Sequence, residues 1–460
     1  MTDTVKIISP IDGRVYAERK VASGAEIEAA VVRAKHARVG WGEITIGERA
    51  KFLENFLDAL LSKNDEIVPE LAWQMGRPIR YGGEKRGLEE RARHMIAIAE
   101  ESLKPTVKTD RPGFRRWVSH EPLGTVMVIA PWNYPYMTAN NIILPALMAG
   151  NSVILKHASQ TLLVGERFAE AARAAGLPEG LFQNLVLSHQ DTEKLIGSGE
   201  IDHISFTGSV EGGRRIEKAA AGTFATLGLE LGGKDPAYVR HDAKLDHSIE
   251  NLVDGSFYNS GQSCCGIERI YVHADVYDRF VEGFVESARG WTLGNPLETD
   301  TMVGPMAQGR FADAVREQTT EALRKGAMAH LNWKHDLDEE SSPYLAPEVL
   351  TNVNHQMSVM REESFGPVVG IMKVADDEEA ITLMNDSPYG LTASIWTEDL
   401  DTAARIGARV ETGTVFANRC DYVDPALVWT GVKDTGKGGS LGEIGYGNLT
   451  QPKSFHLKEI

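Results

Sequence analysis

Residues 124–130 (GTVMVIA) decide the fold class, because this short, apolar, β-branched run predicts a strand buried on both faces of a sheet. Three later runs have the same character: residues 151–156 (NSVILK), 181–187 (LFQNLVL) and 203–208 (HISFTG). The last of them leads directly into Ser209 and a helical segment. The four runs therefore predict neighbouring buried strands.

Helical patterns separate these strands. They cover residues 137–148, 161–175, 191–196 and 210–221, and Gly176 ends the Ala-rich second one. Strand and helix alternating at this interval predict an α/β fold with a doubly wound parallel sheet. Such sheets bind nucleotides at the carboxyl ends of their strands, at the switch point of the strand order.

The first strand ends in residues 131–135 (PWNYP), where two prolines bracket a rigid loop. Asn133 lies in this loop and carries an amide that is able to donate to a developing oxyanion. Removing one such donor costs about 10²–10³ in rate in other enzymes. The alternative is that Asn133 caps the helix that follows, which is a common role for asparagine.

Two segments place a reactive side chain beside glycines, where backbone approaches a ligand closely. Glu230 lies in residues 229–234 (LELGGK), and Cys264 ends residues 261–264 (GQSC). A thiol and a carboxylate in one cleft supply a nucleophile and a base that activates water. The alternative is a small buried cysteine and a solvated glutamate without a function.

The turn at residues 208–213 (GSVEGG) lies between a predicted strand and a predicted helix. Backbone N–H groups and the helix dipole at such a turn favour a pyrophosphate. The turn has neither the Gly-x-Gly-x-x-Gly pattern of dinucleotide folds nor a Walker sequence. Taken alone, it is equally consistent with an ordinary glycine turn before a helix.

An ordered series of motifs is more specific than any single one. It contains residues 131–133 (PWN), Lys156, and residues 206–209 (FTGS), 230–234 (ELGGK), 261–264 (GQSC) and 363–367 (ESFGP). The whole chain, from residues 8–13 (ISPIDG) to 452–454 (PKS), resembles the aldehyde dehydrogenase superfamily, in its NAD(P)-dependent, non-acylating, hydrolytic type. The interval from Glu230 to Cys264 also matches that family.

The resemblance implies the catalytic roles. Cys264, rather than Cys265, corresponds to the nucleophile, because it is the fourth residue of Gly-Gln-x-Cys and Arg269 follows five residues later. Asn133 and the backbone N–H of Cys264 correspond to the oxyanion donors, and Glu230 corresponds to the general base. The implied reaction oxidises an aldehyde to the carboxylic acid through a thiohemiacetal and a thioester that water hydrolyses.

The resemblance also implies NAD or NADP as the cofactor. Lys156 corresponds to the residue that binds the adenosine ribose, and Ser209 lies where the pyrophosphate is held. Glu363 and Phe365 correspond to the pair that orients the nicotinamide ribose and ring. The expected cofactor-binding residues are Trp132, Lys156, Ser159, Thr207, Gly208, Ser209, Gly213, Leu231, Glu363 and Phe365. Lys156 as a surface lysine and Phe365 as a core aromatic are the alternatives.

Two serines depart from the family pattern. Ser159 stands where NAD-preferring relatives often carry a glutamate, which would repel a 2′-phosphate. Its neutral hydroxyl favours tolerance of NADP. Ser440 stands where many relatives carry a second glutamate that relays protons towards the base. We therefore expect Glu230 to act without that partner.

The substrate pocket is expected to be formed by Met137, Asn141, Tyr258, Arg419, Asp421, Val423 and Trp429. Tyr258 and Trp429 suggest aromatic walls for an aliphatic or aryl aldehyde. Arg419 would either meet the carboxylate of a semialdehyde or only pair with Asp421. The pattern does not specify the natural aldehyde.

Alternatives to the general aldehyde dehydrogenase remain open. One is a succinate-semialdehyde-type dehydrogenase that uses NADP. A second is an acylating enzyme that passes the thioester to coenzyme A, although such enzymes usually lack the base at Glu230. A third is a structural relative without activity, although such a chain would be expected to lose Cys264.

The resemblance divides the chain into three parts. A cofactor-binding domain is expected at residues 1–103 and 123–232, and an α/β catalytic domain at 233–434. A β-hairpin oligomerisation arm with the C-terminal tail is expected at 104–122 and 435–460. Within the arm, residues 106–108 and 115–118 flank the turn sequence 110–113 (DRPG), which itself predicts a hairpin. The arm implies a homodimer or homotetramer.

Composition limits the partners and the location. The formal net charge of the 460 residues is −17, which argues against nucleic acid and anionic membranes as partners. The acidic clusters 336–340 and 376–379 are expected to be solvated. There is no apolar run long enough to span a membrane, and the start of the chain lacks an apolar signal stretch. Three cysteines suggest a reducing, cytoplasmic location. We predict no metal site.

Overall fold

The computed structural model describes residues 4–109, 111–331 and 342–460. The acidic cluster predicted at 336–340 lies outside these residues. Within them, the strands form a two-stranded, a three-stranded, a six-stranded and a seven-stranded sheet. Helices cover the two large sheets, as the alternating sequence pattern predicted.

The strands are, in chain order, β1 (Thr4–Ile8), β2 (Val15–Lys20), β3 (Thr106–Lys108), β4 (Phe114–Pro122), β5 (Thr125–Ile129), β6 (Ser152–Lys156), β7 (Phe182–Asn184), β8 (His203–Thr207), β9 (Thr226–Glu230), β10 (Asp235–Val239), β11 (Ile267–His273), β12 (Met328–Ala329), β13 (Glu348–Thr351), β14 (Val368–Val374), β15 (Thr392–Trp396), β16 (Thr414–Ala417), β17 (Gly436–Lys437) and β18 (Thr450–Lys458).

The helices are α1 (Gly24–Glu43), α2 (Ile46–Leu61), α3 (Asn64–Met75), α4 (Lys85–Ser102), α5 (Pro135–Met148), α6 (Leu162–Ala174), α7 (His189–Gly197), α8 (Val210–Ala220), α9 (Leu245–Phe257), α10 (Tyr277–Ala288), α11 (Gly309–Arg324), α12 (Asp377–Asn385), α13 (Leu400–Gly407) and α14 (Gly442–Asn448). Within the described part of the chain, none of them combines the length and the apolar character needed to span a membrane.

The six-stranded sheet has the order β17-β9-β8-β5-β6-β7, and the five strands from β9 to β7 are parallel. All residues of β5 and β6 are buried, because helices cover both faces. This confirms the strands and the doubly wound sheet predicted from residues 124–130 onward. The third predicted strand is shorter than expected, since its ladder with β6 ends at Asn184.

The seven-stranded sheet has the order β12-β13-β14-β11-β10-β15-β16, with only β12 antiparallel to its neighbour. Its strands lie between Asp235 and Ala417, within the range expected for the catalytic domain. Asp377 at the start of α12 accepts hydrogen bonds from Arg240 Nε (3.0 Å) and the Tyr238 hydroxyl (2.8 Å). Asp376 accepts one from Glu379 N and caps α12. The acidic cluster 376–379 is therefore an anchored helix start and not merely a solvated face.

The three-stranded sheet contains the predicted hairpin. β3 pairs with β4 from Thr106 opposite Val118, and β18 pairs with β4 along its full length. The rings of Trp117 and Phe455 stack across β4 and β18 with their centroids 4.4 Å apart. Most residues of β3 and β18 are exposed. The hairpin prediction and its junction with the C-terminal tail are confirmed.

Residues 435–449 do not belong to the arm, which corrects the predicted boundary. β17 pairs with β9, with Gly436 opposite Glu230, and so extends the six-stranded sheet. Gly436 has φ +119°, and a Cβ there would lie 2.0 Å from Leu229 O, so only glycine permits this approach. Only β18 then continues into the three-stranded sheet.

Candidate active site

A cleft of about 850 Å³ brings residues of both large sheets together. Thr207 and Glu230 reach it from the ends of β8 and β9, and Cys264 reaches it from the loop before β11. The residues expected to form the substrate pocket all line this cleft: Met137, Asn141, Tyr258, Arg419, Asp421, Val423 and Trp429. The thiol and the carboxylate singled out in the sequence therefore meet in one cavity.

The loop that carries Cys264 is conformationally strained. Asn259, Ser260 and Gly261 have consecutive positive φ values of 54°, 59° and 69°. A Cβ on Gly261 would lie 2.3 Å from a backbone oxygen of Gly366, so the glycine of Gly-Gln-x-Cys is required sterically. Backbone strain of this kind persists where surrounding contacts enforce it, commonly at functional sites.

The two neighbouring thiols have different surroundings. Cys264 is half-buried and lines the cleft. Cys265 is 5% exposed, and its Sγ donates to Asp421 Oδ1 at 2.9 Å. A hydrogen bond with Cys264, together with burial, raises the pKa of Cys265 well above that of a free thiol. Cys265 is therefore held as a protonated, structural side chain.

The Asn133 side chain contacts the loop that carries Cys264 and does not cap a helix. Its Nδ2 donates to Gln262 O at 3.2 Å, while the N-terminal cap position of α5 is occupied by Tyr134 without a side-chain bond. The capping alternative is therefore wrong. The amide lies beside the backbone that leads into Cys264.

A buried ion pair that the sequence analysis missed supports Asn133. Glu84 Oε2 accepts hydrogen bonds from the N–H groups of Tyr136 and Met137 in the first turn of α5. Glu84 Oε1 binds Arg77 Nη1 at 2.7 Å, and both side chains are only 2% exposed. Arg77 Nη2 in turn donates to Asn133 O at 2.5 Å. No local sequence pattern marks this pair, because its importance comes from residues far along the chain.

Glu230 has two hydroxyl neighbours. Ser440 Oγ donates to Glu230 Oε1 at 2.6 Å, and Thr207 Oγ1 donates to Oε2 at 3.4 Å. Burial raises the pKa of Glu230, and the bond from Ser440 opposes that rise. Position 440 therefore supplies a hydroxyl donor to Glu230, which the sequence analysis did not foresee, and no second carboxylate. Ser440 reaches the base because its backbone pairs with that of Trp429.

Lys156, at the end of β6, is 6% exposed, so the surface-lysine alternative is wrong. Its ammonium has no hydrogen bond or ion pair to any residue in the three described segments of the chain. Burial lowers its pKa to about 8. A buried cation without a partner is costly, and this one fits the hydroxyl or phosphate groups of a dinucleotide. Ser159 follows it in an exposed turn.

The glycine turn before α8 is tightly packed. Ser209 Oγ accepts from Gly212 N at 3.2 Å and caps α8. A Cβ on Gly208 would lie 2.6 Å from the Phe206 ring, and one on Gly213 would lie 2.6 Å from Leu231. Close packing alone therefore explains why positions 208 and 213 require glycine, as in an ordinary glycine turn before a helix. The helix N-terminus behind Ser209 remains suited to a pyrophosphate.

Glu363 contacts the motif at residues 230–234, and Phe365 contacts the motif at residues 131–133. Glu363 Oε1 accepts from Gly233 N at 2.9 Å, and burial raises its pKa to about 8. The half-buried Phe365 has φ +51° and meets Trp132 edge to face, with centroids 5.5 Å apart. Its position is therefore not that of a core aromatic. Trp132 also stacks on Phe311 at 5.4 Å.

A second buried ion pair joins two of the motifs. Lys234 Nζ binds Glu268 Oε2 at 2.5 Å and donates to Ser364 Oγ at 2.9 Å. The Glu268 carboxylate also accepts from the N–H groups of Ser364 and Phe365. The lysine of residues 230–234 therefore fixes the backbone of residues 363–367 and has a structural role.

The model of the aldehyde dehydrogenase family matches residues 1–455. This chain belongs to the aldehyde dehydrogenase family. An aldehyde dehydrogenase of Paenarthrobacter nicotinovorans is 36% identical to it, over 91% of this chain and 92% of the relative. A succinate-semialdehyde dehydrogenase [NADP(+)] of Mycobacterium avium is 32% identical, over 96% of this chain and 94% of the relative.

Solved structures agree with this assignment. A 3,6-anhydro-L-galactose dehydrogenase in complex with NAP superposes with a TM-score of 0.93 at 29% identity, covering 99% of this chain and 96% of that chain. PnpE in complex with nicotinamide adenine dinucleotide gives a TM-score of 0.93 at 28% identity, covering 99% and 94%. The chain is thus an NAD(P)-dependent aldehyde dehydrogenase, as its motifs predicted.

Two of the substrate-pocket residues of the dehydrogenase, Arg419 and Asp421, have different surroundings. Arg419 is exposed, and its guanidinium lies 3.4 Å from the centre of the Tyr422 ring. Asp421 accepts from Ser263 Oγ and Cys265 Sγ, so in the described structure it braces the cysteine loop and does not pair with Arg419. The pairing alternative for Arg419 is therefore wrong.

Aromatic side chains form part of the dehydrogenase cleft, as expected. Tyr258 packs against Tyr81 with centroids 4.4 Å apart, and Trp429 is 6% exposed. The cleft also contains Arg91 of α4, which the sequence analysis missed. Arg91 lies in a charged helical segment (residues 89–93, EERAR) whose pattern does not distinguish it from solvent-exposed arginines.

Proposed function

We propose that this dehydrogenase is hydrolytic, with Cys264 as nucleophile, Asn133 and the Cys264 N–H as oxyanion donors, and Glu230 as general base. The observation that carries the proposal is the convergence of the half-buried Cys264 and the hydroxyl-bound Glu230 on one cleft. Cys265 is engaged with Asp421, which leaves Cys264 as the thiol facing the substrate.

The reaction begins when the Cys264 thiolate adds to the aldehyde carbon. The carbonyl oxygen becomes an oxyanion held by the Asn133 amide and the Cys264 N–H. Lys156, Ser209, Glu363 and Phe365 would hold NAD(P)⁺, which would supply the acceptor for the hydride of the former aldehyde C–H bond. Loss of that hydride leaves a thioester on Cys264. Glu230 then takes a proton from water, whose oxygen attacks the thioester carbon. The C–S bond breaks, the acid leaves, and Cys264 is again a thiolate.

We also propose that the enzyme accepts NADP. Ser159 supplies a neutral hydroxyl instead of a carboxylate, and the ammonium of Lys156 carries no counter-charge from the described residues. His189 stands close by, and its pKa is lowered by burial and by the charges of Lys156 and Arg215. Arg215 is already paired with Glu211 at 2.7 Å, so Lys156 is the cation that would meet a 2′-phosphate.

Trapping the acyl-enzyme tests the catalytic assignment. Glu230→Gln should give a burst of reduced cofactor, no steady turnover, and an acyl adduct on Cys264 by mass spectrometry. Cys264→Ala should abolish oxidation while cofactor binding stays near normal, and Cys265→Ala is the matched control that should retain most activity. Steady turnover by Glu230→Gln, or an inactive Cys265→Ala, would contradict the roles. Acyl transfer to coenzyme A would identify the acylating alternative.

Assembly and location complete the proposal. β3 and β18 are mostly exposed and β4 is half-buried, and a small sheet needs an apolar face or a packing partner to be stable. We infer that it packs on a second copy of the chain in a homodimer or homotetramer. The free thiols of Cys264, Cys265 and Cys420 suit a reducing compartment, and we therefore place the enzyme in the cytoplasm.

A further inference from the structure

Arg91 is a cation inside the cleft that the catalytic roles above do not use. It lies on α4, on the side that packs against α5, one turn after Gly87. A Cβ on Gly87 would lie 2.4 Å from Met137 Sδ, so the two helices approach each other closely there. The Arg91 side chain is largely withdrawn from solvent, and burial lowers its pKa.

The partners of Arg91 do not neutralise its charge. Nη1 makes one long hydrogen bond, 3.4 Å, to Asn141 Oδ1. No carboxylate of the described residues lies within ion-pair distance of Arg91. Arg77 in the same cleft is buried, and it is paired with Glu84 at 2.7 Å. Arg91 is half-buried and faces the cavity, so its guanidinium presents N–H donors without an anion to whatever fills the cleft.

The carboxylates nearest to Arg91 have partners of their own. Glu84 binds Arg77 and the first turn of α5. Glu230 accepts from Ser440. Asp421 accepts from the cysteine loop. These contacts hold each carboxylate in place, so a conformational change that brings one of them onto Arg91 would break a buried hydrogen bond.

We propose that Arg91 binds an anionic group at the far end of the aldehyde substrate, so that the substrates are acidic aldehydes such as semialdehydes. The guanidinium offers a planar pair of N–H groups to a carboxylate. Asn141 turns its oxygen to Arg91 and thereby leaves its Nδ2 as a second donor for the same anion. This assignment deepens the proposed function and rests on Cys264 being the reacting group.

The mouth of the cleft fits an anion as well. The exposed cations Lys85, Arg86 and Arg419 line it. In a protein of net charge −17 they provide a locally positive entrance, which raises the local concentration of an anion. Of the acidic residues there, Glu90 is bound by the Tyr422 hydroxyl at 2.6 Å, and Asp254 lines the same region.

Arg91 also acts through space on Cys264, Cys265 and Glu230. A purely electrostatic role there would help all aldehydes equally, whereas binding of the substrate anion helps only acidic ones. The comparison of charged and neutral substrates of equal length therefore separates the two roles.

The test uses the full-length enzyme with 4-oxobutanoate and butanal, and with 5-oxopentanoate and pentanal. Arg91→Gln should lower kcat/KM for the better acidic aldehyde by about 100-fold, mainly through KM, because a charge-assisted bidentate contact is lost. The neutral aldehydes should change far less. Arg91→Lys should recover part of the loss. The matched control is Arg93→Gln on the same helix, which is exposed, lies outside the cleft lining and should change neither class strongly.

Equal losses for acidic and neutral aldehydes, or a wild-type enzyme that prefers the neutral member of both pairs, would overturn the proposal. A binding measurement covers the case of a poorly active variant. Succinate should raise the Tm of Cys264→Ala but not that of Cys264→Ala/Arg91→Gln; equal shifts would also overturn it. If the catalytic roles fail instead, Cys264→Ala will still oxidise both aldehyde classes, which distinguishes the two failures.

Discussion

At the scale of single residues, a hydroxyl contacts Glu230, the proposed base. Ser440 Oγ lies 2.6 Å from Glu230 Oε1, in the place where the family resemblance puts a second carboxylate. A hydroxyl donor stabilises the ionised base, whereas a second carboxylate would disfavour it. Burial raises the pKa of Glu230, and Ser440 limits that rise.

Ser440→Ala should therefore raise the pKa of Glu230 further. The base will then be protonated over a wider acidic range, so the acid limb of thioester hydrolysis will move to higher pH. A shift of one pKa unit would lower the rate on that limb about tenfold, with recovery at alkaline pH. The measurement is the pH profile of steady turnover after the burst. Ser440→Thr keeps the hydroxyl and serves as control; an unmoved acid limb in Ser440→Ala would refute this role.

Cofactor choice is a second property of single residues. Ser159→Glu should lower kcat/KM for NADP at least tenfold more than for NAD, because an unpaired carboxylate would face the 2′-phosphate. Ser159→Ala keeps the site neutral and should leave the ratio of the two cofactors nearly unchanged. The idea fails if wild-type enzyme ignores NADP at millimolar concentration.

The lowered pKa of Lys156 predicts that cofactor binding depends on pH. Its pKa is lowered to about 8, and the protonated ammonium is the form that attracts a phosphate. Below pH 8 the charge is present; above it the free enzyme loses the charge. The KM for NADP should therefore rise above pH 8, and more steeply than the KM for NAD. Parallel KM profiles for the two cofactors would show that Lys156 does not contact the 2′-phosphate.

At the scale of elements, α5 depends on a helix cap that comes from another segment. Glu84 accepts hydrogen bonds from the N–H groups of Tyr136 and Met137. Arg77, its ion-pair partner, donates a hydrogen bond to Asn133 O. The same pair thus fixes the start of α5 and the position of Asn133, the proposed oxyanion donor. Helix starts need such acceptors, because their first N–H groups have no partner within the helix.

Glu84→Gln should destabilise the fold and slow the reaction together. Removing one partner of a buried ion pair costs about 3–5 kcal/mol. The Tm and kcat should both fall, because Arg77 loses its counter-charge and Asn133 loses its support. Glu89→Gln on α4, the helix that begins directly after Glu84, is the control: the pair of Glu89 with Arg93 is exposed, so the Tm of this variant should hardly change. Equal Tm values for the two variants would show that the pair is not stabilising.

At the scale of the whole molecule, the three-stranded sheet leaves most residues of its two outer strands, β3 and β18, exposed. β18 is one strand of this sheet and pairs with β4 along the full length of β4. Deleting residues 452–460 should remove that strand and shift the oligomer to monomer, as measured by light scattering after size exclusion. Deleting only Ile460 is the control and should keep the assembly. A monomeric wild-type protein would contradict the oligomer proposal.

The sequence alone determined the buried strands, the glycine turns and the identity of the catalytic motifs. The strand at residues 124–130 and the hairpin around 110–113 follow from local patterns of apolar and turn residues. The motif of Cys264 carries its own steric requirement in Gly261. Such features are local, so neighbouring residues are sufficient to specify them.

Only the tertiary structure decided which distant side chains support these motifs. Ser440 lies 210 residues from Glu230 in sequence, and no pattern connects them. Arg91 and Glu84 look like ordinary charged residues until the packing of α4 against α5 places them in the cleft. Their roles depend on burial and on the partners they find, and both arise only when separate elements pack together.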